Sequence, residues 1–210
     1  MHEYIFLLPI FLFLLLGVMS PGPSFILVAQ TAMAKSRADA LAVSVGMGIG
    51  ATIFAVIASL GLFVLLDTVP WVYIGLKVIG GSYLCFLAFK MWTSSNEPLM
   101  AEHTENKINT GILKMFFSGL FTQLSNPKTA IVFGSVFAAF LPKNVPEYAY
   151  ILITALAFLI DTLWYVLVAT LLSTSKAQKA YVKFKKHICR VAGAFMGLLG
   201  VKLISSQQLP

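Results

Sequence analysis

The chain has 210 residues, of which 59% are hydrophobic and only 11% are charged, and its mean hydropathy is +0.87. A soluble domain of this size exposes far more charge, so the composition indicates an integral membrane protein. A formal net charge of +7 is compatible with a nucleic-acid partner, and the distribution of that charge has to decide the matter. The two cysteines, Cys85 and Cys189, form no CxxC pair and are predicted to be unpaired.

The apolar residues fall into six segments. A chain in lipid must satisfy its own backbone hydrogen bonds, so each segment is predicted to be a transmembrane helix and the fold to be all-α. The segments are residues 4–34, 40–66, 69–92, 112–141, 148–172 and 188–204.

The polar stretch between the third and fourth segments divides the chain into two halves. It is predicted to be a solvated linker, residues 93–111, between a first three-helix repeat, 1–92, and a second, 112–210. Three helices in each half give the two repeats opposite orientations in the membrane, which is the arrangement called an inverted repeat.

The basic residues are strongly biased to one side of this predicted topology. Eleven Lys and Arg residues lie in, or at the edges of, the loops after the first, third and fifth segments, and only two lie on the other side. Cytoplasmic loops carry the excess of basic residues, so the linker is predicted to be cytoplasmic and both termini external. The bias also places the basic stretch 175–190 beside anionic membrane lipid and argues against nucleic acid.

Pro21, Gly22 and Pro23 interrupt the first segment. The segment has 31 residues without an acidic or basic side chain, and a straight helix of that length is about 46 Å long, against a bilayer core of about 30 Å. Proline removes a backbone donor, so the helix is predicted to break here. Pro23 is also well placed as the first residue of a new half-helix ending the segment.

Asn126 and Pro127 interrupt the fourth segment in the same way. Asn126 is a good N-cap and Pro127 a good first helical residue, so a second half-helix is predicted to start in the middle of the membrane. The N-terminus of such a half-helix presents unpaired N–H groups and a positive dipole end, which together favour an anion. Matched breaks in two halves indicate the substrate site of a transporter.

Two charged residues lie deep within predicted spans. Lys128 has 13 uncharged residues before it and 14 after it, and Asp161 is equally remote from the next charge. Each costs at least about 2.5–3.5 kcal/mol at the centre of a lone span, so both need partners. One interpretation is a structural Lys128–Asp161 pair; the other is that Lys128 binds a substrate carboxylate and Asp161 an amine or the coupling proton. Tyr165, four residues on, is predicted to lie on the same face of the helix, where it is able to donate a hydrogen bond to Asp161.

The residues around both breaks define the predicted substrate site. It comprises Pro21, Gly22, Pro23, Ser24, Gln123, Asn126, Pro127, Lys128, Asp161 and Tyr165, with Asp161 also assigned to proton coupling.

Four motifs give the chain a resemblance that covers nearly its whole length. They are Pro21-Gly22-Pro23, Gly46-x-Gly48-x-Gly50, the run from Leu76 to Leu84, and Asn126-Pro127-Lys128. In this order they resemble the LysE/RhtB family of amino-acid exporters, of the threonine, homoserine and leucine efflux type. The resemblance implies a multi-pass protein of the bacterial inner membrane that exports an amino acid or derivative using the proton gradient.

Other functional classes have weaker support. A metal-ion exporter of related fold requires Cys, His or carboxylate clusters, and the predicted spans hold one Asp and two scattered Cys. No nucleophile–base motif indicates an enzyme, and neither a metal nor a cofactor is predicted. The expected partners are an amino acid, a proton and membrane lipid; the sequence leaves a homo-oligomer open.

Overall fold

The computed structural model describes residues 5–68, 70–93, 111–142 and 146–205. Every regular element in these ranges is an α-helix, which confirms the predicted all-α class. The eight helices are α1 (Leu7–Met19), α2 (Pro23–Ala34), α3 (Arg37–Thr68), α4 (Pro70–Thr93), α5 (Ile112–Leu124), α6 (Pro127–Phe140), α7 (Glu147–Leu172) and α8 (Ser175–Ser205).

Several helices are long and apolar enough to cross a bilayer. Within the described ranges, three stretches qualify individually: Arg37–Gly61, Tyr148–Leu172 and Lys183–Ser205. The pair α1 and α2 qualifies as a fourth crossing if it is counted as one bent span, and α5 and α6 are shorter apolar helices. The chain is therefore a multi-pass membrane protein, while the count of six spans remains a prediction.

The predicted break in the first segment is confirmed. Helix α1 ends at Met19, Ser20 is extended, and α2 begins at Pro23 with Gly22 as its N-cap. The axes of the two helices differ in direction by 55°. The proline ring prevents the chain from continuing the helix through this point, so the bend follows directly from the sequence.

The predicted break in the fourth segment is also confirmed. Helix α5 ends at Leu124, and α6 begins at Pro127 with Asn126 as its N-cap. The Asn126 side chain accepts a hydrogen bond from the backbone N–H of Lys128 at 3.0 Å, which satisfies one of the donors that a helix start leaves unpaired.

The last helix is longer than predicted. The sixth apolar segment was expected to start at Ile188, but α8 begins at Ser175 and continues without interruption to Ser205. The basic stretch 175–190 is therefore helix rather than a loop. The apolar stretch ends where the lysines begin, but lysine is a good helix former. The boundary of the apolar stretch and the boundary of the helix therefore differ.

The helices on either side of the first break pack against those on either side of the second. Helix α1 packs against α6, α2 packs against α5, and α7 contacts both α1 and α2. This arrangement brings the starts of α2 and α6 and the middle of α7 together in the interior of the bundle, although they are far apart in the sequence.

Glycines on α3 hold this bundle closely together. A Cβ at Gly46 would collide with the backbone carbonyl of Phe116 on α5, and one at Gly48 with the Thr162 hydroxyl on α7. A Cβ at Gly50 would lie 2.7 Å from Cβ of Gln123. The glycine motif is therefore a close-packing surface, the usual role of small residues between membrane helices.

Helices α4 and α8 form a second close pair. A Cβ at Gly81 would lie 2.7 Å from the Gly200 carbonyl oxygen, and one at Gly193 would lie 3.2 Å from that of Ala88. Cys85 and Cys189, on these two helices, are both free thiols, as predicted. The linker and the proposed boundary between repeats, residues 94–110, lie outside the described residues.

Candidate functional site

A small internal cavity lies where the two helix breaks cross. Residues from α1, α2, α5, α6 and α7 surround it, so both halves of the chain contribute to it. Its lining comprises Leu14, Gly17, Val18, Gly22, Ser24, Phe25, Gln123, Asn126, Lys128, Thr129, Val132, Phe133, Asp161 and Tyr165. Seven of these, from Gly22 to Tyr165, are among the ten residues predicted from the sequence.

The remaining three predicted residues, Pro21, Pro23 and Pro127, are not part of the lining. Pro23 and Pro127 are the first residues of α2 and α6, and Pro21 lies between α1 and α2. Their contribution is to the backbone, because they determine where α1 and α5 must stop and where the half-helices start.

Gln123 connects the first break to the buried carboxylate. The Ser24 hydroxyl donates a 2.6 Å hydrogen bond to Oε1 of Gln123, and Nε2 of Gln123 donates a 2.7 Å bond to Oδ1 of Asp161. All three side chains are buried. Both polar groups of the glutamine amide are therefore used, and they join three helices in one chain of bonds.

Asn126 extends this chain to the second break. Its Oδ1 accepts from the backbone N–H of Lys128, while its Nδ2 donates a 2.9 Å bond to the Ser24 hydroxyl. The sequence predicted the cap but not the second bond. Asn126 therefore connects the start of α6 to the start of α2 while it also caps the N-terminus of α6.

Lys128 contacts the end of α1. Its ammonium donates a 2.6 Å hydrogen bond to the Ser20 carbonyl oxygen, one of the carbonyls that a helix end leaves unpaired. Its stem passes Gly22, where a Cβ would lie 3.3 Å from both Cδ and Nζ of the lysine. In the part of the chain that the structure describes, Lys128 and Asp161 make no ion pair within 4.0 Å, so a direct structural pair is not what holds them.

Tyr165 lies on the same face of α7 as Asp161, as its spacing predicted, and its side chain is buried. In the described part of the chain no hydrogen bond joins the Tyr165 hydroxyl to Asp161, whose Oδ1 accepts from Gln123 instead. The possible Tyr165–Asp161 bond is therefore not formed.

The opposite wall of the cavity is apolar, and the sequence prediction missed it. Leu14, Gly17 and Val18 form the last turns of α1, and Val132 and Phe133 belong to the second turn of α6. The sequence shows that these residues lie one or two helical turns from a break, but many other apolar residues of the chain have a similar spacing. Only the packing of the helices distinguishes these residues from lipid-facing ones.

The cavity is small and only partly enclosed. Its volume is about 20 Å³, which accommodates about one water molecule. Ligand pockets are typically about 300–1,000 Å³, so the structure shows the site in a form that excludes even a small amino acid. Among the described residues, no group of three or more His, Cys, Asp or Glu side chains is placed to hold a metal ion.

Comparison with known proteins places this architecture in a family. A model of the LysE type translocator matches residues 15–207, which is nearly the whole chain. The chain belongs to the LysE type translocator family. This confirms the resemblance drawn from the two proline breaks and the glycine motif. No solved structure matches the chain.

Individual relatives cover the chain almost from end to end. The threonine efflux protein of Salmonella typhi is 35% identical over 194 residues, covering 92% of this chain and 94% of that protein. The threonine efflux protein of Escherichia coli K12 is 34% identical with the same coverage, and a membrane protein of Haemophilus influenzae is 31% identical over 193 residues. This translocator family therefore includes relatives that export an amino acid.

Proposed function

We propose that this protein is a secondary transporter of the bacterial inner membrane that exports a small amino acid of the threonine type in exchange for protons. The observation that carries the proposal is that a lysine, an aspartate and two half-helix N-termini line one cavity. An amino acid is a zwitterion, and this cavity presents a binding group for each of its charges.

The substrate carboxylate has suitable donors at the helix starts. Gly22, Ser24 and Phe25 surround the N-terminus of α2, and Lys128 and Thr129 surround that of α6. Unpaired N–H groups, the positive ends of two helix dipoles and one ammonium all favour an anion there. Binding requires the lysine ammonium to exchange its bond with the Ser20 carbonyl for one with the substrate.

The substrate amine has Asp161 as its binding group. A carboxylate this deeply buried is less costly protonated than ionised, and its ionised form needs a positive partner. If the substrate ammonium binds on Asp161, the amino acid and the proton compete for one group. Competition of this kind drives export of the amino acid when protons move inward. Joint binding of both would instead carry the amino acid in the same direction as the protons.

The contacts between the two breaks are related in a way that supports the proposed inverted repeat. Ser24 follows Pro23 and bonds to Gln123, four residues before Pro127. Lys128 follows Pro127 and bonds to Ser20, three residues before Pro23. In each half, the residue after the proline therefore bonds to the end of the helix that precedes the break in the other half. Two repeats inserted in opposite directions are expected to show this exchange.

The topology has a direct test. Single cysteines at Ser94 and Ser206, in a variant without Cys85 and Cys189, should react with an impermeant thiol reagent from opposite sides of the membrane. The side of Ser94 should be cytoplasmic. Labelling of both positions from one side would overturn the six-span inverted repeat.

Efflux from loaded vesicles tests the function. Proteoliposomes are loaded with a mixture of amino acids that includes threonine, and a proton gradient is applied from the opposite side. We expect one or a few small amino acids to leave faster than from protein-free vesicles, and an uncoupler to remove the difference. Equal rates for every amino acid, with or without the gradient, would refute amino-acid export. Including a divalent metal in a parallel load tests the metal-exporter alternative directly.

A further inference from the structure

The small size of the cavity implies that a wall of the site moves during each transport cycle. An amino acid is larger than the water-sized space, so the site must enlarge before a substrate enters. Protein interiors are close-packed, so enlargement needs a neighbouring space that can receive a displaced side chain.

Phe25 forms one wall, and its other face contacts α8. Phe25 is completely buried at the first turn of α2, beside Ser24. Its ring stacks on that of Tyr181, with ring centroids 5.0 Å apart and planes inclined by 24°. The two stacked rings therefore close the small cavity on the side that faces α8.

A second cavity lies on the far side of the same stack. It has a volume of about 280 Å³ and lies between α7 and α8, where Tyr181, Trp164 and Phe184 are part of its lining. It is partly open to the outside of the bundle, where the Phe184 side chain is mostly exposed. Trp164 is adjacent along α7 to Tyr165, which lines the inner cavity. Tyr181 and Phe25 thus separate the two spaces, and joined they reach about 300 Å³, the lower limit of usual ligand pockets.

We propose that the cavity between α7 and α8 is the entry chamber through which the amino acid reaches the site, and that Tyr181 is its gate. When the tyrosine ring leaves Phe25, the chamber and the site become one space. This inference rests on the proposed function, because it assigns an entrance to the site that binds the amino acid.

The chemistry of Tyr181 fits a residue with two positions. Its hydroxyl is buried and, among the described residues, has no hydrogen-bond partner. A buried polar group without a partner is unfavourable, so the hydroxyl gains a partner, water or substrate, when the ring moves. The lining of the chamber is almost entirely aliphatic and aromatic, so it suits the tyrosine ring, and the partner that the hydroxyl gains has to be water or substrate inside the chamber.

The anchoring of α8 also permits this movement. The close backbone contacts of α8 with α4 occur at Gly193 and Gly200, three and five turns beyond Tyr181. The end that carries Tyr181 is the lysine-rich end, which the charge distribution predicts to be cytoplasmic. The chamber therefore lies on the side from which an exporter takes its substrate.

The chamber also restricts the class of substrate. With mostly apolar walls it accepts a short aliphatic or hydroxylated side chain more readily than a charged one, because a charged side chain loses its hydration there without a partner. An amino acid of the threonine type meets that requirement, and a basic amino acid does not.

A native thiol provides the test. Cys189 lies two turns beyond Tyr181 on α8 and is 1% exposed. In inside-out vesicles of a Cys85→Ala variant, we measure the rate at which an impermeant thiol reagent labels Cys189. Tyr181→Ala should label about two- to tenfold faster, the factor that loss of one aromatic stack supplies. Tyr181→Phe keeps the stack and should label at the unmodified rate.

Phe184→Ala is the matched control. Phe184 lies three residues from Tyr181 and lines the same chamber, but its side chain is mostly exposed, so this variant widens the chamber and leaves the Phe25–Tyr181 stack in place. Slow labelling in Phe184→Ala with fast labelling in Tyr181→Ala supports the gate. Equal rates in the two variants, or fast labelling in Tyr181→Phe, overturn it. Labelling requires no transport, so failure of the proposed amino-acid export leaves this outcome readable.

Discussion

Gln123 is the residue whose replacement most directly tests the polar network. Gln123→Leu keeps nearly the same volume and removes both amide groups. The Ser24 hydroxyl then loses its acceptor and Asp161 loses the only side-chain donor that the structure assigns to it within the described residues. We expect the leucine variant to reach the membrane and to export poorly.

The size of the effect follows from the two bonds. A hydrogen bond to a charged group contributes about 1.5–3 kcal/mol, and a buried acceptor left without a donor incurs a further desolvation cost. At about 1.4 kcal/mol for each factor of ten, the loss of the Gln123–Asp161 bond alone corresponds to roughly a ten- to hundredfold decrease in export. The decrease should appear in the rate at saturating substrate as well as in affinity, because Asp161 is also the proposed proton site.

The assay is efflux of a labelled amino acid from loaded proteoliposomes. Thr122→Val is the matched control: it removes a polar group at the adjacent residue of α5, which does not line the cavity. We expect near-normal export from Thr122→Val. Normal export by Gln123→Leu at the same protein level would refute the reasoning, since it would show that the bonds around Asp161 are dispensable.

Three further replacements have defined outcomes. Lys128→Met should abolish export at normal membrane levels, measured as efflux per mole of reconstituted protein, because it removes the one ammonium that lines the cavity among the described residues. Asp161→Asn should lose uncoupler-sensitive export while retaining exchange of internal for external substrate; full uncoupler sensitivity would show that another group couples the proton. Gly50→Ala should destabilise the protein by about 1–3 kcal/mol, measured by thermal unfolding in detergent, because its Cβ would lie 2.7 Å from Cβ of Gln123. Gly61→Ala, where a Cβ meets open space inside α3, should keep or slightly raise the stability of the protein.

Local features of the fold could be predicted because they depend on neighbours in the chain. A proline prevents the helix before it from continuing, and an asparagine before a proline caps the next helix. Both rules concern residues within a few positions of each other, so the starts of α2 at Pro23 and α6 at Pro127 were predicted to the residue. The depth of Lys128 and Asp161 likewise follows from counting uncharged residues on either side.

The end of one helix shows where local rules fail. Helix α8 was predicted to begin at Ile188, because hydropathy marks the part of a helix that meets lipid. The helix continues to Ser175 through residues that are polar yet favourable for helix formation. Hydropathy therefore predicts the span but not the end of the helix.

The sequence by itself determined the class of protein, the two breaks, their caps and the polar residues beside them. Only the tertiary structure decided the pairing of those residues: Lys128 with the Ser20 carbonyl rather than Asp161, and Gln123 with both Ser24 and Asp161. The physical reason is sequence distance. Ser24 and Gln123 are 99 residues apart, and their contact depends on how whole helices cross and rotate. Helix rotation is set by close packing at glycines and apolar side chains throughout the bundle, and no short stretch of sequence contains that information.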